Sequence, residues 1–127
     1  MGQKILVVDD SEKDTELVKH FLERDGSDYD IVFAKDGLEA LEKARVEKPD
    51  LIILDLMLPK MDGFKVCRLL KFDEKFKHIP VILLTMLGDH KDKEAGKGVG
   101  ADAYMAKPFD SGLLHKQITK LIGRDCH

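Results

Sequence analysis

Leu51-Ile52-Ile53-Leu54-Asp55 is the stretch from which the rest of the chain can be read. Consecutive apolar side chains run straight into a carboxylate. A strand with one wet face alternates polar and apolar residues. A strand that is apolar at every position is covered on both faces, as in a parallel sheet between two layers of helices. The same pattern stands at Ile5-Leu6-Val7-Val8 and at Val81-Ile82-Leu83-Leu84. Ile31-Val32-Phe33 is a weaker second run. Ala101 to Ala106 is the fifth, and the least strand-like in composition.

Between the runs the period becomes helical. Leu17, Val18, Phe21 and Leu22 form one stripe, with Ser11 as N-cap, Asp14 three residues on, and Gly26 as the stop. Leu38, Leu41, Ala44 and Val46 form a second, capped by Asp36 with Glu39 in the box position and ended by Pro49. Val66, Cys67, Leu69 and Leu70 form the inner stripe of a third. A fourth helix is expected between Asp89 and Val99, weakened by Gly96 and Gly98. The fifth, Ser111 to Ile122, carries Leu114, Ile118, Leu121 and Ile122. Each crossover is long enough for a helix, so the strands should be parallel and the crossovers right-handed. The fold class is α/β, a doubly wound five-stranded parallel sheet of (βα)5 type.

The composition fits one domain over residues 1–127. With 127 residues and 43 % apolar side chains, the chain should bury about two thirds of its unfolded surface without a metal or disulfide staple. Asp plus Glu number 24 and Lys plus Arg 21, for a net charge of −3, so no direct nucleic-acid face is expected. No apolar run approaches a membrane span, and the N-terminus turns acidic at Asp9 before a signal-peptide core forms. Gly2 invites a myristoylation reading, but position 6 is Leu6 rather than Ser or Thr. Cys67 and Cys126 give no disulfide framework, and a reducing cytoplasm is the expected location.

In doubly wound sheets the working site lies beyond the carboxyl ends of the strands. Here strand one ends at Asp9-Asp10, strand three at Asp55, strand four at Thr85, and strand five at Lys107-Pro108. Each alone reads as a turn or solvated residue; together they read as a site. Three clustered carboxylates repel by roughly 4 kcal/mol per pair at ~4 Å, and a cation relieves this. Oxygen ligands suit Mg²⁺, or Mn²⁺, rather than zinc. With a metal present one carboxylate can attack phosphorus and become an acyl phosphate. Asp55, at the end of the central strand, is the better nucleophile, and Asp9 and Asp10 then hold the metal. Lys107 and Thr85 can compensate charge on the phosphoryl oxygens. Lys107-Pro108 is the candidate cis peptide. The five His residues at 20, 78, 90, 115 and 127 are scattered, and none sits at a strand end.

These residues resemble a response-regulator receiver domain of two-component signalling. The motifs are ILVVDD (Ile5–Asp10), IILDLMLPKMDG (Ile52–Gly63), LLT ending at Thr85, and GADAYMAKPF (Gly100–Phe109). The resemblance implies a flavodoxin-like strand order of 2-1-3-4-5. It places an acidic metal pair on Asp9 and Asp10, the phosphoacceptor on Asp55, and a third metal contact on the backbone carbonyl of Met57. It places the switch hydroxyl on Thr85, the switch aromatic on Tyr104 and the lysine on Lys107; Pro59 and Gly63 match the loop after the acceptor. The implied function is a phosphoprotein switch, alone or in a phosphorelay. Asp55 takes a phosphoryl group from a histidine kinase or a histidine phosphotransfer protein. The expected output face is the fourth helix, fifth strand and fifth helix, open to a homodimer or an output domain. The domain either stands alone or belongs to a longer regulator. Self-catalysed phosphorylation and slow self-dephosphorylation are expected, without turnover of outside substrates.

Met86 departs from the small residue usual after the switch hydroxyl and narrows the pocket. Met57 and Leu87 flank the approach of water to the acyl phosphate and cannot orient it, so Met57, Met86 and Leu87 are the expected modulators. An FMN binder would need a phosphate-cradling loop after strand one, where Asp9-Asp10-Ser11-Glu12 stands instead. An aspartyl-phosphate phosphohydrolase would need an acid–base aspartate at position 57, which is Met57. The remaining alternative is a non-phosphorylated, receiver-like protein-binding module.

Overall fold

The computed structural model describes residues 3–24, 29–56, 63–86, 100–107 and 111–122, with 24, 85, 86, 107 and 111 by backbone alone. The strands are β1 (Gln3–Val8), β2 (Tyr29–Ala34), β3 (Leu51–Asp55), β4 (Val81–Met86) and β5 (Ala103–Lys107). The helices are α1 (Glu12–Arg24), α2 (Gly37–Glu47), α3 (Gly63–Lys71) and α4 (Ser111–Ile122). Here α4 is the fifth helix expected from the sequence. The helix expected between 89 and 99, and the stop at Gly26, lie outside the described residues.

All strand pairs are parallel and the order is β2-β1-β3-β4-β5. This is the expected doubly wound, flavodoxin-like order. The chain moves outward from β1 to β2, then crosses back to β3 on the other side of β1. That reversal opens a crevice above β1 and β3, where Asp9 and Asp55 stand.

Alternation along the strands builds two cores. Leu6, Val8, Ile52, Leu54, Val81 and Leu83 pack on one face with Ala40 and Ala44 of α2 and Val66, Cys67 and Leu70 of α3. Ile5, Val7, Leu51, Ile53, Ile82 and Leu84 pack on the other with Val18 and Leu22 of α1 and Leu114 and Ile118 of α4. Every residue of β3 is buried, which explains its uninterrupted apolar run. The edge strand β2 is mostly half-buried, which explains its weaker pattern.

The helix starts follow from their caps. The N–H of Asp14 donates to Ser11 Oγ at 3.3 Å. The N–H of Glu39 donates to Asp36 Oδ1 at 2.9 Å, and Glu39 Oε1 reaches back to accept from the N–H of Lys35 at 2.7 Å. α2 ends in Lys48, held left-handed at φ 50°, whose N–H bonds the carbonyl of Ala44. Pro49 then prevents continuation.

Four residues assigned to inner stripes face water instead: Leu17, Leu38 (56 % exposed), Val46 and Leu69 (45 % exposed). In α2 the inner face is Gly37, Ala40 and Ala44, small residues that bring the helix close to the sheet. In α3 it is Val66, Cys67 and Leu70. The helical period was right, but the buried arc is narrower than the set of large apolar residues.

Candidate metal and phosphoacceptor site

Asp9 follows β1 directly. Its N–H donates to the carbonyl of Ala34 at 3.0 Å, which prolongs the β1–β2 ladder by one bond. Its carboxylate turns back to accept the N–H of Ser11 at 2.9 Å. That bond fixes the turn into α1 and one carboxylate oxygen together. Asp55 is the last residue of β3 and pairs in register with Leu84 of β4. The next N–H, that of Leu56, bonds the carbonyl of Leu84 at 3.2 Å, so the peptide after the carboxylate is still held by the sheet.

Asp9 (2 % exposed) and Asp55 (5 %) are the buried charged residues among those described, while Asp10 is exposed. One carboxylate oxygen from each of the three lies within 4.8 Å of the others. Like charges this close cost roughly 3 kcal/mol per pair at an effective dielectric of about 20. The Ser11 N–H offsets part of that on Asp9. An all-oxygen, anionic donor set open to water on the Asp10 side fits a hard divalent cation such as Mg²⁺ or Mn²⁺.

β4 and β5 bring the remaining expected residues to the same end of the sheet. Thr85 pairs with Ala106, and Met86 with Lys107. The side chains of Thr85, Met86 and Lys107, and all of Met57, Pro59, Leu87 and Pro108, lie outside the described residues, as does the candidate cis bond. Tyr104 pairs with Leu83 and packs its ring against the α2–α3 core, with its hydroxyl buried.

One contact was not anticipated. Gly63, the first residue of α3, lies directly against the backbone that leaves β3: a Cβ there would sit 2.7 Å from the carbonyl oxygen of Asp55. The sequence offered it only as a loop glycine.

A parallel sheet with an acidic crevice at its topological switch point defines a doubly wound α/β protein with a candidate divalent-cation site. The chain belongs to the response regulator receiver domain family, which it matches over residues 5–119. It is 45 % identical over 124 residues to the alkaline phosphatase synthesis transcriptional regulatory protein PhoP of Bacillus subtilis. That match covers 98 % of this chain and 50 % of the relative, so the chain spans about half of that protein's length. It is 34 % identical to the polar-differentiation response regulator DivK of Brucella anthropi, covering 97 % of this chain and 98 % of that one. Among solved structures it resembles the receiver domain of the sensor histidine kinase PA1611 of Pseudomonas aeruginosa. The TM-score is 0.87 at 30 % identity, over 98 % of this chain and 100 % of that one. That structure holds a magnesium ion coordinated in its active-site cleft.

Proposed function

We propose that residues 1–127 form one receiver domain that accepts a phosphoryl group on Asp55. The observation that carries this reading is the convergence of Asp9, Asp10 and Asp55 within 4.8 Å at the crevice of a receiver fold. A carboxylate oxygen of Asp55 attacks phosphorus, the P–N bond of a partner's phosphohistidine breaks, and the electron pair stays on the departing imidazole. The product is an acyl phosphate. Asp9 and Asp10, with Asp55 and the carbonyl of Met57, would hold Mg²⁺, which would supply positive charge to the transferring oxygens. Lys107 and Thr85 supply an ammonium and a hydroxyl to the same oxygens.

The phosphoryl group adds about two negative charges to the crevice. Movement of Thr85 toward it, together with Tyr104 packed inward, transmits the change to the face made by the segment 89–99, β5 and α4. Partners of this reading are a histidine kinase or a histidine phosphotransfer protein at the crevice, and a second copy or an output domain at that face. Among the described residues no helix is long and apolar enough to cross a membrane. Apolar Met57 and Leu87 leave attacking water unoriented, so the acyl phosphate decays slowly.

The test is intact mass after phosphoramidate treatment with Mg²⁺. One added phosphoryl group is expected in the wild type, and none in Asp55→Asn or in excess EDTA. Undiminished labelling in either control overturns the assignment.

A further inference from the structure

The contact at Gly63 bears on the acceptor itself. A Cβ at this position would fall 2.6 Å from Leu56 Cα, 2.7 Å from the Asp55 carbonyl oxygen and 3.1 Å from the Leu56 carbonyl oxygen. All three are backbone atoms and cannot rotate aside. Gly63 is not held at positive φ; among the described glycines only Gly100 is. Space, then, rather than torsion, excludes a side chain here.

Both sides of the contact are anchored. The strand end is fixed by the Asp55–Leu84 register and by the Leu56 N–H bond to Leu84. The helix is fixed by Val66, Cys67 and Leu70 in the core, and by the N–H of Gly63, which donates to the Leu56 carbonyl at 3.3 Å. A methyl group inserted between them has to displace one or both.

We propose that Gly63 is a positioning residue for phosphoryl acceptance: its bare Cα lets the first turn of α3 press on the Asp55–Leu56 peptide and set where the Asp55 carboxylate stands relative to Asp9 and Asp10. The proposal rests on Asp55 being the acceptor and adds what holds it in place. Magnesium demands near-ideal octahedral geometry at about 2.0–2.1 Å, so a shift of a few tenths of an ångström in one carboxylate should be felt.

The experiment uses the full chain as wild type, Gly63→Ala, Phe64→Leu and Cys67→Ala. Mg²⁺ affinity is read by calorimetry, the labelling rate with phosphoramidate at saturating Mg²⁺ by intact mass, and stability by urea unfolding. Cys67→Ala opens a cavity in the same helix away from the crevice, and so reports loss of stability alone. Gly63→Ala is expected to weaken Mg²⁺ binding and to slow labelling by about tenfold or more each. Cys67→Ala should leave both within about twofold, whatever it costs in stability. A folded Gly63→Ala with both values within twofold of wild type overturns the proposal. If Gly63→Ala fails to fold, Phe64→Leu decides, since Phe64 packs the same turn against the core. A loss of Mg²⁺ affinity of about threefold or more supports the proposal, and an unchanged affinity overturns it. A wild type that neither binds Mg²⁺ nor takes the label sinks the acceptor reading, and this inference with it.

Discussion

Asp9 and Asp55 are carboxylates withdrawn from water beside a third, so each charge raises the cost of the others. Without a cation that cost falls on the fold. Asp55→Asn removes one charge and keeps the shape of the side chain. In EDTA it is expected to be more stable than the wild type by about 1 kcal/mol or more, read as a higher urea midpoint at unchanged slope. A lower midpoint would show that the cluster is already compensated by its surroundings. Cys67 is the opposite kind of buried group, since it carries no charge at neutral pH. Burial pushes its thiol up from 9.0 to about 12. Above pH 9 the unfolded chain releases this proton while the native state retains it, so the native state loses stability as pH rises from 9 toward 12. Cys67→Ala should show a shallower loss over that window in pH-dependent unfolding. Thiol reagents should label native Cys67 only at the rate of opening.

At the scale of elements, the end of α3 and the segments that lead into β4 and β5 are held together by one lysine. Lys71 Nζ donates to the carbonyls of Lys77 and Ile79, both at 3.0 Å, and to Asp102 Oδ2 at 2.9 Å. The same Asp102 oxygen accepts the N–H of Val81 at 2.8 Å. The end of α3, the turn into β4 and the approach to β5 thus share one ammonium. Gly100, at φ 86°, carries the chain past the stem of Lys71, and a Cβ there would touch Lys71 Cβ at 3.3 Å. Lys71→Met keeps the stem and removes the bonds. It should cost about 2 kcal/mol in urea unfolding while leaving Mg²⁺ binding at the far end unchanged. Nothing in the sequence distinguishes Lys71 from a solvated lysine, because its partners come from two separate segments, the turn into β4 and the approach to β5. The central strands were legible, since burial on both faces leaves an unbroken apolar run. β5 was less so: Ala103, Tyr104, Met105, Ala106 and Lys107 mix small, aromatic and charged residues, and the strand begins two residues later than its composition suggested. Helix faces were legible in period and direction but not in width. Leu38 outranks Ala40 in hydrophobicity, yet Ala40 is the residue that fits against the sheet.

At the scale of the whole molecule, the described charges form several local ion pairs. The pair that closes the bottom of the sheet is Lys4 with Glu47, at 2.8 Å. The N–H of Lys4 also bonds Asp50 Oδ2 at 2.8 Å. The hydrogen bond from Lys4, and then its charge, hold the Glu47 carboxyl below 4.5. The hydrogen bond to Glu47 holds the Lys4 ammonium above 10.5. The contribution of Glu47 is therefore complete above pH 4.5 and lost as pH falls through its lowered native value. That of Lys4 is complete below 10.5 and lost as pH rises through its raised one. Glu47→Gln should lower stability slightly across neutral pH, with the difference from wild type closing in acid and in high salt. The acidic site was legible at this scale because strand order brings Asp9 and Asp55, far apart in sequence, to adjacent strand ends. The Gly63 contact was not legible, because a glycine packed for space and one bent for a turn are the same letter.

The most direct measurement is the position of the phosphoryl group. Borohydride reduces an acyl phosphate, but not a free carboxylate, to an alcohol, so a phosphorylated aspartate becomes homoserine. After phosphoramidate and Mg²⁺ treatment and borohydride reduction, peptide mapping by mass spectrometry is expected to find homoserine at position 55, and none in samples prepared in EDTA. Homoserine at position 9 or 10, or at no position in a protein shown to bind Mg²⁺, would contradict the assignment of Asp55 as the acceptor.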